Sequence, residues 1–301
     1  MTERRFSSLK GRPVVFGEVL FDSFPDGRDV LGGAPFNVAR HLQGFDLQPL
    51  FISRVGDDRR GEQVRAAMLE WGMDTVGLQC DTQHPTGSVR IAMQGTQHSF
   101  DILPQQAYDY IDAAQALPLV QQQNISLLYF GSLIEREPVS RNTLKQLRSL
   151  PVPLFSDVNL RAPWWQPNEV VRLLQGVNWV KLNDEEIAAL GFTGELESAA
   201  QQMRNHFELE LLVVTRGEEG ALFVTADEVL HGEPVAVKQL VDTVGAGDSF
   251  SAVVLLGMLR GWPLGKTLGH ALEFAAHMCE VRGAVLPDNS FYQACLAKWD
   301  S

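Results

Sequence analysis

The sequence predicts an α/β fold, a mostly parallel sheet covered by helices on both faces. Short runs rich in β-branched and aromatic residues recur along the chain: VVFGEVL, LFISRVG, SLLYFGS, PLFSDVN, WVKLN, LLVVTRG and ALFVT. Each has the length and composition of a strand. Between them lie stretches with helical spacing, among them residues 37–44, 62–71, 141–150 and 197–207. Such alternation calls for crossover connections, which leave neighbouring strands parallel. The 301 residues, 45% of them apolar, suffice for one large core. No repeat, low-complexity tract or linker divides them, so residues 1–301 read as a single domain.

One segment breaks the rhythm. GSVRIAMQGTQHSFDIL reads as two strands around Gln94-Gly95-Thr96-Gln97, with the alternation of a half-exposed hairpin. Segments near 19–33 and 86–108 are therefore expected to form a small β-lid beside the main sheet. An ordinary edge hairpin is the alternative.

Composition narrows the function classes. A net charge of −12 opposes binding to a nucleic-acid backbone, although a few converging donors can still hold a small polyanion. No apolar run is long enough to span a bilayer, so no membrane partner is expected. Cys80, Cys279 and Cys295 form no CxxC pair, which suits free thiols in a reducing, cytoplasmic setting.

Familiar phosphate loops are missing. GWPLGKT has one residue too few between its glycines for a P-loop and follows a helical pattern rather than a strand, so it reads as a helix–helix turn. There is no GxGxxG and no HExxH. His270 and His277, seven apart on one expected helix, are discounted as metal ligands.

The strongest chemical signal is DTVGAGDSF, Asp242 to Phe250. Gly245, Ala246 and Gly247 sit ahead of an apolar helix, where unpaired amides and small side chains suit a phosphate oxygen. Amides aimed in advance at growing charge form an anion hole. Asp248 follows directly, as a helix cap or as a base. Other loops carry matching polar residues: Gly32 and Gly33 before a helix containing Asn37; Asp22 after the first strand run; Asp157, Asn159 and Arg161; Lys181, Asn183 and Glu186; Thr215, Gly217 and Gly220. Most of these positions follow strand runs, at the edge where open α/β sheets bind ligands.

Taken together, GGAPFNVA, NDEE, TRGEEG and DTVGAGDSF resemble the PfkB, or ribokinase-like, carbohydrate kinases over nearly the whole chain. The resemblance implies a three-layer α/β/α fold with a β-lid over the sugar, and phosphoryl transfer from ATP with Mg²⁺ to a sugar hydroxyl. In that scheme Asp248 is the base and Gly245, Ala246 and Gly247 form the anion hole. Asp22, Gly32, Gly33, Asn37, Asn159 and Arg161 hold the sugar. Asn183, Thr215, Gly217 and Gly220 line the nucleotide, and Glu186 serves Mg²⁺ through water. A monovalent cation such as K⁺ is implied near Asp242 and Val244, and a homodimer through the lid.

GGAP and the segment ending at Arg161 look most like bacterial fructokinases. Leu20, where ribokinases carry asparagine, turns the reading away from ribose. The 2-keto-3-deoxygluconate kinases share a similar arginine segment. A catalytically silent sugar or nucleotide sensor is the alternative of another class.

Overall fold

The computed structural model describes residues 5–6, 9–94, 97–286 and 288–300, with backbone alone at 92–94 and 97–99. Its strands are β1 (Arg12–Phe16), β2 (Leu20–Ser23), β3 (Asp29–Gly32), β4 (Leu50–Gly56), β5 (Leu78–Asp81), β6 (Gly87–Gln94), β7 (Gln97–Ile102), β8 (Ile125–Gly131), β9 (Leu154–Asp157), β10 (Trp179–Asn183), β11 (Leu211–Thr215), β12 (Ala221–Val224) and β13 (Val229–Gly232). The helices are α1 (Ala34–Gly44), α2 (Arg59–Glu70), α3 (Ala113–Gln121), α4 (Pro138–Leu147), α5 (Pro167–Leu174), α6 (Asp184–Ala189), α7 (Leu196–His206), α8 (Ala246–Arg260), α9 (Leu264–Met278) and α10 (Ser290–Trp299).

Nine strands form the main sheet in the order β13-β12-β11-β10-β9-β8-β1-β4-β5. From β11 to β5 all neighbours are parallel, and β12 and β13 add an antiparallel edge. Alternate strand residues feed two cores. Val15, Phe51, Tyr129, Phe155 and Val213 pack with α1, α8 and α9 on one face. Val14, Ile52, Leu128, Val180 and Leu212 pack with α3, α4, α5 and α7 on the other. Burial on both faces is why these strands read as continuous apolar runs.

The segments that broke the sequence rhythm form a separate four-stranded sheet in the order β3-β2-β6-β7. Strands β6 and β7 pair antiparallel up to Gln94 opposite Gln97, while Gly95 and Thr96, at the expected turn, lie outside the described residues. One reading needs correction. The run VVFGEVLFD is not one strand: it leaves the main sheet at Phe16 and re-forms as β2 in the smaller sheet. Asp22 therefore stands on that sheet, paired with Val30 and Val89, and not at the carboxyl end of a main-sheet strand.

Helix α8 is buried from Ser249 to Met258, so its apolar residues occupy all sides rather than one stripe. It runs tightly against α9: a side-chain carbon on Gly257 would lie 2.4 Å from the Thr267 hydroxyl oxygen. GWPLGKT is the turn between them. The Trp262 amide bonds the Gly257 carbonyl at 2.9 Å, and Pro263 caps α9. No phosphate loop lies there.

Candidate active site

Parallel register sets the floor of the site. Gly131, Asp157, Lys181 and Val213 form one row across β8, β9, β10 and β11, and Asn183 lies beside Thr215. The loops after β9, β10 and β11 thus leave the sheet side by side. Asn159 is held at φ 42° there, a left-handed conformation that Asn tolerates better than most residues.

The start of α8 is brought onto this edge, with the Ser251 hydroxyl bonding the buried Asp157 carboxylate at 2.7 Å. Gly245 turns the chain into the helix at φ 79°. A side chain there would strike Ala284, so the position requires glycine twice over. The Ala246 amide turns back to the Thr243 carbonyl at 3.3 Å, whereas the amides of Gly245, Gly247 and Asp248 meet no acceptor among the described residues. The expected trio is thereby altered: Ala246 is engaged, and the Asp248 amide takes its place among the free donors.

Asp248 is not the helix cap. It stands third in α8, behind Gly245 at the cap position, and its Oδ2 accepts a 2.7 Å hydrogen bond from Asn37 Nδ2 on α1. That bond fixes one oxygen and leaves the other for a ligand. Burial lifts this carboxyl to about 6; Asn37, Lys181 and Arg161 work against the rise and Asp157 adds to it. Asn37, placed by sequence among the sugar contacts, is buried and already committed to Asp248, while its Oδ1 is buried without a partner.

Glu18 and Arg161 act on Asp248, and Asp22 shares the field of Arg161. Glu18 follows β1 with only 4% of its surface exposed. Its Oε2 has no partner, and burial drives its pKa up to about 7, reinforced by Asp248 and opposed by Arg161 and Arg136. Asp22, reaching in from β2, is also raised by burial to about 6, with Arg161 pulling it back. Arg161 itself is exposed and has no ion-pair partner within 4.0 Å among the described residues. Gly32 leaves space beside Asp22, whose Oδ2 would lie 3.7 Å from an added side-chain carbon, while Gly33 is pressed against the Glu18 carbonyl.

Asn183 and Glu186 form a reciprocal capping box at the start of α6. Asn183 Oδ1 accepts from the Glu186 amide at 2.7 Å, and Glu186 Oε2 accepts from the Asn183 amide at 2.9 Å. Glu186 Oε1 also receives the Leu160 amide at 2.6 Å, tying the loops after β9 and β10 together. The two glycines after Thr215 differ. Gly217 has open space where a side chain would project, but Gly220 abuts the Gly232 carbonyl, so its smallness serves strand packing rather than a ligand. Asp242 bonds the Val244 and Gly283 amides at 3.0 and 3.1 Å, and the carbonyls of Asp242 and Val244 accept no hydrogen bond among the described residues.

The sequence reading passed over Glu18, Tyr129 and Ser251. Glu18 had a signal, a lone acid within an apolar run. The two hydroxyl groups had none, because they reach Asp157 only through the fold. A separate hollow of about 300 Å³, lined in part by Arg54, Asp81, His84 and Tyr110, holds none of the residues around Asp248.

An acid beside free helix-start amides, at the carboxyl edge of a three-layer α/β sheet, is an arrangement that suits a small-molecule phosphotransferase. Comparison with known proteins agrees. The description "pfkB family carbohydrate kinase" matches residues 22–290, and the chain belongs to that family. Fructokinase from Salmonella typhimurium is 29% identical over 289 residues, 90% of this chain and 91% of that one. Fructokinase from Escherichia coli is 29% identical over 259 residues, covering 81% and 83%. A double-mutant fructokinase from Vibrio cholerae O395, solved with fructose, ADP and potassium ion, superposes with a TM-score of 0.80 at 26% identity, covering 96% and 99%. The protein is a carbohydrate kinase, transferring a phosphoryl group to a hydroxyl of a sugar. Among the described residues no helix is long and apolar enough to cross a membrane.

Proposed function

We propose that this kinase phosphorylates fructose at the expense of ATP, with Asp248 as the base. The observation that carries the reading is the Asn37–Asp248 bond beside the free amides of α8. Asn37 holds one carboxylate oxygen, so the other is presented to the acceptor hydroxyl. That hydroxyl oxygen forms a bond to the γ-phosphorus as the bond from phosphorus to the β-bridging oxygen breaks. The proton passes to Asp248, and ADP leaves. Phosphoryl transfer depends chiefly on alignment and charge stabilisation, so a carboxylate near pKa 6 suffices as base. The Gly245, Gly247 and Asp248 amides face the transferring group. Asp22, Asn159 and Arg161 meet the sugar under the four-stranded sheet acting as lid, beside the gap at Gly32. Gly217 lies along the nucleotide.

The donors suit the expected ions. Glu186 keeps a second lone pair on each oxygen, and the described residues contain no group of three metal-ligating side chains. Mg²⁺ would thus be held through water by Glu186, and it supplies charge neutralisation on the phosphates. The unbonded carbonyls of Asp242 and Val244 suit K⁺, the ion bound by the Vibrio fructokinase.

The name shared by the relatives supports fructose. Arg161, without a carboxylate partner, favours 2-keto-3-deoxygluconate as the second reading. Turnover across fructose, ribose and 2-keto-3-deoxygluconate separates them, with fructose expected to give the highest kcat/KM. Asp248→Asn is expected to keep sugar and ATP binding while losing about 100- to 10,000-fold in kcat. Unchanged kcat would end the assignment of the base.

A further inference from the structure

Lys181 is 8% exposed, and its ammonium donates to both oxygens of Asp157 at 3.0 and 3.1 Å. Asp157 also accepts from Ser251 at 2.7 Å and Tyr129 at 3.2 Å, so the anion is held from three elements: β10, α8 and β8. An ammonium has three protons. The third on Lys181 meets no acceptor among the described residues. The charge lies directly against the start of α8, for a side-chain carbon on Gly247 would sit 3.2 Å from Nζ. A cation at a helix N-terminus opposes the helix dipole. Burying the pair in place of apolar groups rarely stabilises a fold. An anion at the helix start would offset the first cost and give the third proton an acceptor.

We propose that Lys181 is a member of the anion hole, its charge and spare proton directed at the transferring phosphoryl group beside the Gly247 amide, with Asp157 as its anchor. This rests on the phosphoryl-transfer reading of the site. The divided pair serves both ends of the reaction. Lys181 offsets the charge on the phosphoryl oxygens, and it opposes the field of Asp157 on the base. Asp248 is faced by Glu18 after β1, Tyr129 on β8, Asp157 on β9 with Arg161 in its loop, Lys181 on β10 and Asn37 on α1. Removing Lys181 alone leaves two carboxylates, Glu18 and Asp157, less opposed.

The test compares Lys181→Met, the double variant Lys181→Met with Asp157→Asn, and Asp248→Asn. In Lys181→Met, kcat should fall about 100- to 1,000-fold, as for loss of one anion-hole donor, with sugar KM within a few-fold of normal. The acid limb of kcat/KM should move to higher pH. In the double variant the buried charges are gone together, so folding is preserved even where the single variant fails. Its acid limb should return toward that of the parent while kcat stays about 100-fold down. Recovery of parental kcat in the double variant would overturn the proposal, because the loss would then come from an orphaned Asp157. If Asp248→Asn also turned over normally, the reading of this site with Asp248 as the base would itself fail. An inactive Asp248→Asn beside a fully active double variant would overturn the role of Lys181 alone.

Discussion

Glu18→Gln removes an acid that the fold holds against its preference for water. The carboxyl rises from 4.5 to about 7 on folding. Its folded pKa therefore exceeds the unfolded one, so the native chain binds the proton more tightly, and stability drains away as pH climbs from about 4.5 to 7. Each tenfold change in proton affinity is worth about 1.4 kcal/mol, so the native carboxylate costs about 3 kcal/mol once both states are ionised. Glutamine keeps the shape without the charge. Urea unfolding at pH 8.5 should find the variant about 3 kcal/mol more stable than the parent; at pH 5.5, where the native acid is still protonated and the unfolded one is not, the gain should shrink to about 1 kcal/mol. The m-values should match. An equal gain at both pH values, or none, would show that Glu18 is not held as a buried neutral acid and would remove the basis for the argument.

The acid limb of kcat/KM should report Asp248, falling tenfold per pH unit below about 6 because the base must be ionised; a profile flat from pH 5 to 8 would contradict that role. Gly220→Ala should cost about 3 kcal/mol in thermal or urea unfolding, since the new carbon would lie 2.1 Å from the Gly232 carbonyl and neither backbone can give way cheaply. Gly217→Ala, with open space around it, should cost about 1 kcal/mol and instead raise the KM for ATP several-fold.

The main sheet was legible because parallel strands buried on both faces write themselves as unbroken apolar runs. That same continuity hid the break at Gly17. VVFGEVLF carries no turn residues beyond one glycine, so nothing marked where the chain leaves one sheet for another. Strand-end loops were legible by their polarity, and Asn159, Arg161, Asn183 and Thr215 do lie along one edge. Pairings across the fold were not. Asn37 and Asp248 are 211 residues apart, and the bond between them depends on how α1 packs against α8. Capping illustrates a subtler limit: an aspartate just past a glycine turn fits the cap position by spacing, yet the left-handed Gly245 takes that position and frees the acid.

The pairing of β2 with β6 joins two excursions from the main sheet that are remote in sequence. Asp22 sits opposite Val89 in that pairing, so an acid encoded near the start of the chain is aimed by a strand encoded much later. Neither excursion can shift without dragging the other. Asp22, within the field of the exposed Arg161, is thus hung on a plate, not on a free loop, and its direction is set by the tilt of four strands at once.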